Sequence, residues 1–193
     1  MCQIVSETEP RRPRDEGRHL VARAKTEGER IAMEIGQALT GDAWHGPSLN
    51  ELLDGITSED AIQRPIPGAH NIWELVLHIT SWANISRRRL TGGRVEPEDG
   101  EDWPRPGPIS EPRWAAARSA LAESHERLRE VVAGLSDEEL TRNVPQGERS
   151  IANMLHGVTQ HAAYHGGQIA ILKKAISINR AATHVTRKLP FQS

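Results

Sequence analysis

Apolar residues recur at helical spacing along the whole stretch from Ser150 to about Ile176, through Ile151, Met154, Leu155, Val158, Ala162, Ile169 and Leu172. A segment of that length and period folds as one long α-helix that buries a single face. Three more segments share the period. The first runs from about Thr26 to Leu39, carrying Ile31, Ile35, Ala38 and Leu39. The second spans Asn71 to Leu90, with Ile72, Leu75, Val76, Ile79, Trp82 and Ala83. The third covers Pro112 to Ala133, with Trp114, Ala117, Leu121, Leu128 and Val131. Asn71 suits an N-cap, and Gly92-Gly93 close the far end of that helix. Shorter helical pieces are expected after Pro47, at Thr57-Ser58-Glu59-Asp60, and at Ser136-Asp137-Glu138-Glu139. The alternation of a β-strand appears nowhere, and no repeat is visible. The pattern predicts an all-α fold, a four-helix bundle of antiparallel type.

Length and composition set the limits of that bundle. The 193 residues, 37% of them hydrophobic, suit one domain with its own core. It is expected over residues 26–178. A polar, flexible extension over 1–25 precedes it, and a tail without periodicity over 179–193 follows. The stretch from Met1 to Arg18 lacks the apolar segment of a secretory signal. No run approaches the roughly 18 apolar residues of a membrane helix. Lys and Arg number 24 against 26 Asp and Glu, a formal charge of −2 that argues against a dedicated nucleic-acid binder. The single cysteine, Cys2, excludes an internal disulfide and a cysteine metal site, and fits a cytoplasmic location.

The chemistry concentrates in Gln160-His161-Ala162-Ala163-Tyr164-His165-Gly166-Gly167-Gln168. Four residues advance a helix by about 400°, so His161 and His165 share a face and can converge on one cation. An isolated pair at this spacing more often faces water. Here small residues leave room around it, and two mid-helix glycines, each costing about 1 kcal/mol relative to alanine, suggest close approach by a helix or a ligand. Gln168 shares the face and can orient a ligand or a bound water. A bundle site needs a further ligand from a facing helix. His78, set among apolar neighbours in the second long helix, is the candidate, although a lone histidine there is more often a hydrogen-bonded core residue. Three neutral imidazoles leave a metal's charge uncompensated and favour an open coordination position. Glu74 lies on the same side as His78, where it also suits a first-turn acid favoured by the helix dipole. His156 lies about 140° around the helix from His161 and falls outside the set. His70 is expected to cap or to sit in a loop, and His45 could border the pocket. His19, His125 and His184 read as surface residues.

Three stretches together are similar to the DinB/YfiT-like superfamily, whose members are regarded as metalloenzymes. They are Trp44-His45-Gly46-Pro47-Ser48-Leu49, the run from His70 to Ile79, and the run from His156 to Gln168. The resemblance covers roughly Glu29 to Ala175. It implies a four-helix bundle, a homodimer, and a divalent-metal site (zinc, nickel, iron or manganese) whose three ligands fall on His78, His161 and His165. It also implies a thiol-dependent transferase or isomerase, and the open position on the metal adds a hydrolase to the expectation. On that reading the metal activates water or a low-molecular-weight thiol, Gln168 positions it, and Tyr164 or Glu74 assists. The substrate is then a small molecule, with neither nucleic acid nor membrane as partner. The competing expectation is a non-catalytic metal-binding bundle with a structural or stress-sensing role. A nucleic-acid role would rest on Arg87-Arg88-Arg89 alone, at a helix C-terminus where cations are favoured anyway. The loop from Arg94 to Ser110, with Trp103 between prolines, could cover the site.

Overall fold

The computed structural model describes residues 26–93, 96–145 and 147–187, with side chains through residue 182. The expectations for 1–25 and 188–193 and for His19 lie outside this range, and that for the His184 side chain lies outside the described side chains. Among the described residues seven helices follow in order: α1 (Glu27–Thr40), α2 (Leu49–Leu53), α3 (Ser58–Ala61), α4 (Ile72–Leu90), α5 (Glu111–Ala133), α6 (Asp137–Thr141) and α7 (Ile151–Arg187). The described residues form no strand beyond an isolated bridge between Asn143 and Ser150. Five helix starts are sealed by capping boxes, in which Thr26, Ser48, Thr57, Asn71 and Ser136 pair with Glu29, Glu51, Asp60, Glu74 and Glu139. Each satisfies two otherwise unpaired backbone N–H groups, and loss of such a cap costs about 1 kcal/mol. No described helix is long and apolar enough to cross a membrane.

The four long helices close a ring in which α1 packs on α5 and α7, and α4 packs on the same two. Two apolar clusters fill it and reveal the helix directions. One gathers Ile31 and Ile35 of α1, Ala83 of α4, Leu128 and Val132 of α5, and Leu155 and Val158 of α7. The other holds Ala38 and Leu39, then Leu75, Val76 and Ile79, then Trp114 and Leu121, then Ala162, Ile169 and Leu172. Thus α1 and α7 run one way, and α4 and α5 the other. The bundle is antiparallel across α1–α5 and α4–α7, but parallel across α4–α5.

That parallel pair dictates the course of the long loop. A 19-residue α4 is roughly 28 Å long at 1.5 Å per residue, and the chain must travel back along it before α5 can start beside it. The loop lies on α4 as it returns. Glu101 takes Arg88 in a two-pronged pair at 2.6 and 2.9 Å. Asp102 then accepts the Trp82 indole N–H at 2.6 Å, and Trp103 reaches His78 and His70.

Two expectations are corrected. The last helix does not end near Ile176; it continues to Arg187. Burial does stop at Ile176, and residues 177–182 are all exposed. No core face is needed there, so the periodicity that marks a packed helix fades, while no proline or glycine lies between Ile176 and Arg187 to stop the helix. Arg180 in this stretch pairs with the buried Asp60 of α3. His125 is not a surface residue: it is 1% exposed on the inner face of α5. Its Nδ1 lies 3.0 Å from the Leu121 carbonyl, and its Nε2 is buried without a partner.

Candidate metal centre

His78 comes from the middle of α4, and His161 and His165 from successive turns of the antiparallel α7, so three imidazoles meet between two helices. One nitrogen from each lies within 4.8 Å of the others. The Nε2 atoms of His78 and His161 are 2.9 Å apart. The His165 ring stands at 85° to His78 and 86° to His161, so the rings converge from different directions.

The opposite ring nitrogens are held. His78 Nδ1 donates to the Asp102 carbonyl at 2.6 Å, with the Asp102 carboxylate 3.3 Å away. His165 Nδ1 donates to Gln168 Oε1 at 2.7 Å. Donation from Nδ1 leaves Nε2 with its lone pair on each ring, turned toward the cluster. Two bare Nε2 atoms at such a distance repel unless a proton or a cation lies between them. In a tetrahedral site, ligand bonds of about 2.0–2.1 Å put neighbouring nitrogens about 3.3 Å apart, close to what the rings already offer. The donor set therefore fits a divalent cation of the zinc or nickel kind.

Burial keeps these ligands neutral. His78 and His165 are 5% and 6% exposed, and desolvation holds both below their ordinary value. His161 is pushed down to about 4, by desolvation first and then by the two neighbouring imidazoles. Neutral imidazole is the form that binds metal. No carboxylate belongs to the trio, so a bound dication would keep its charge and favour an open position.

The loop completes one wall. Trp103 stacks between His78 and His70, 3.7 Å from each ring and within 7° of parallel to both. The trio opens on the other side onto a cavity of about 830 Å³, lined among others by Trp82, Arg89, Arg149, Met154, Val158 and Tyr164. Arg89 stacks over Trp82 at 5.5 Å.

The remaining expected residues are placed as follows. Gln168 orients His165. Tyr164 stands at the cavity edge. Glu74 is committed to the Asn71 capping box, to His70 Nδ1 at 3.1 Å, and to Arg64. It meets the cluster only through the His70–Trp103–His78 stack. His156 turns away to Glu34 at 3.2 Å. His45 borders a separate small cavity with Ala162 and Gly166, on the α2 side of α7. The close approach expected at the paired glycines is not found within the described chain: a Cβ at Gly166 would make ordinary contact with Leu52 Cδ1 at 3.4 Å, and one at Gly167 would meet nothing within 4 Å. Sequence reasoning missed Asp102 as the partner of His78. Only Trp103 beside it, an aromatic residue in a polar loop, signalled that the segment docks.

A family model described as the DinB superfamily matches residues 43–169, well over half of the chain. The chain belongs to the DinB superfamily. No curated protein and no solved structure matches it. All three histidines, with Asp102, Trp103 and Gln168, lie inside the DinB match, whereas α1 and the second half of α7 lie outside it.

Proposed function

We propose that this DinB-superfamily protein is a divalent-metal-dependent enzyme acting on a small molecule, as a hydrolase or a thiol-dependent transferase. The carrying observation is that three neutral imidazoles converge at the floor of a cavity large enough for a small-molecule substrate. His78, His161 and His165 would hold the ion. When bound, it supplies Lewis acidity, lowering the pKa of water or of a thiol cosubstrate toward neutrality. The chain's own residues do the rest. Asp102 and Gln168 fix the rotation and tautomer of His78 and His165. Trp103 covers the outer side of His78 and keeps water from that face. Trp82, Met154 and Val158 offer apolar contact for a substrate body, and Tyr164 offers a hydroxyl at the entrance. A closed structural site would have no such cavity, which is why catalysis is favoured over a purely structural role.

The test is metal content of protein purified without an affinity tag, measured by elemental analysis beside the His165→Ala variant. About one divalent ion per chain in the wild type and none in the variant is expected; stoichiometric metal in the variant would sink the ligand assignment. A screen for transfer to low-molecular-weight thiols, with and without metal, then separates transferase from hydrolase.

A further inference from the structure

The cavity beside the histidines changes character along its length. Its α4 wall carries His78, Trp82, Ser86 and Arg89 in turn. Successive members lie three or four residues apart, so they form one stripe from the metal centre to the C-terminal end of the helix. Near the histidines the cavity is apolar, with Trp82 on one side and Met154 and Val158 of α7 lining the same stretch. The stripe ends on the cation of Arg89.

Arg89 is one of three arginines in the last turn of α4, where the helix dipole favours cations of any kind. Its placement goes further than that. The guanidinium lies over the Trp82 ring, 5.5 Å from the centroid, and Trp82 stands two turns earlier in the helix. Long side chains on a helix lean toward its N-terminus, and on α4 that is the direction of His78. Asp102 accepts the indole N–H at 2.6 Å, which fixes the ring on which the cation rests. The same ring stands 6.3 Å from His161 and 6.5 Å from His78, centroid to centroid. One indole thus separates the cation from the ligands. Its neighbour Arg88 turns instead to Glu101. A guanidinium has five N–H donors in a planar fork, so Arg89 can keep partners in its own chain and still present two to a ligand.

We propose that Arg89 selects a substrate bearing a carboxylate: the acid pairs with the guanidinium, the apolar body lies on Trp82, Met154 and Val158, and the reacting group reaches the histidines. The last of these placements rests on the proposed function; the pairing with Arg89 does not. Two features favour a carboxylate over a phosphate. One fork satisfies both oxygens of a carboxylate, whereas a phosphate has a third to satisfy. Glu96, Asp102 and Glu148 also line the cavity, so a second negative charge on the ligand would be repelled. Arg149 stands exposed at the outer rim beside Glu148, where water and salt screen it, and has no part in the selection.

Calorimetric titration of the full-length protein, as purified and after chelation, with phenylacetate and with its neutral analogue phenylacetamide reads this selection. The acid is expected to bind about tenfold or more tightly than the amide in both forms. Arg89→Gln should remove the preference with helicity unchanged by circular dichroism, and Arg89→Lys, which keeps the charge without the fork, should retain only part of it. Arg149→Gln should leave the wild-type ratio. Equal binding of the two compounds by the wild type, no binding of the acid, or a preference that survives Arg89→Gln would overturn the assignment. A preference that vanishes on chelation would give the acid to the metal instead, and tighter binding of phenyl phosphate than of phenylacetate would overturn the carboxylate. Protein that holds no metal yet shows the Arg89-dependent preference would refute the proposed function and leave this inference intact; metal binding without the preference would refute this inference alone.

Discussion

Gln168→Leu isolates the smallest part of the metal centre. Gln168 Oε1 is the acceptor at 2.7 Å for His165 Nδ1, and His165 is 6% exposed. Leucine keeps much of the side-chain volume but accepts nothing, so a buried N–H is left unsatisfied at a cost of about 1–3 kcal/mol. The ring can escape that cost only by changing tautomer or rotating, and either takes the Nε2 lone pair away from the cluster. Loss of such an outer partner weakens metal binding by about 10–100-fold. The two figures agree, since a tenfold change is about 1.4 kcal/mol. Competition against a chromophoric chelator, with zinc and with nickel, measures the effect. Gln168→Glu is the control: a carboxylate accepts more strongly, so affinity should stay at or above that of the wild type. Wild-type affinity in Gln168→Leu, within about threefold, would show that His165 is oriented by packing alone and would refute the argument.

Other outcomes follow from the same structure. Metal-free protein should lose stability as the pH falls from 6.5 toward about 4, because His78, His125, His161 and His165 are all held below 6.5 when folded and the unfolded chain takes up protons first. Above 6.5 the contribution is fully present. Urea titrations should show this decline, reduced in His125→Leu, and a flat profile down to about pH 5 would count against it. Trp103→Ala removes two stacked contacts of about 0.5–1.5 kcal/mol each and frees His78 to rotate, so metal affinity should fall by about tenfold with helicity unchanged by circular dichroism. Chelation should lower the melting temperature without unfolding the chain, since both apolar clusters close without the ligand histidines. Loss of helicity on chelation would instead favour a structural metal.

The helices and the His161–His165 pair could be read from sequence because both depend on local period: four residues per turn-and-a-bit put the two rings together whatever surrounds them. His78 was legible only as a candidate, since its pairing with α7 depends on which helix lies opposite. Asp102 was not legible at all. Its carbonyl, a group every residue carries, does the work, and its place beside His78 follows from the parallel α4–α5 pair rather than from any motif. His125 is the opposite case, because spacing alone locates it. Its place four residues after Leu121 and three before Leu128 puts it on the inner face of α5, where it is buried. The true end of α7 is not legible because amphipathic spacing reports burial, and residues 177–182 are all exposed, with Arg180 reaching Asp60 through charge rather than through an apolar face.

The return of the α4–α5 loop along α4 also makes the metal centre sensitive to chain length. One of its orienting groups is delivered by a tether anchored at Leu90 and clipped to Arg88 through Glu101. Shortening or lengthening the span between Leu90 and Asp102 would slide the Asp102 carbonyl out of register with His78 while leaving every helix intact. The span from Pro104 to Ser110 has no such duty beyond reaching α5, so insertions there should be absorbed. Of the two halves of this loop, the one before Trp103 serves as a ruler for the site and the one after it as slack.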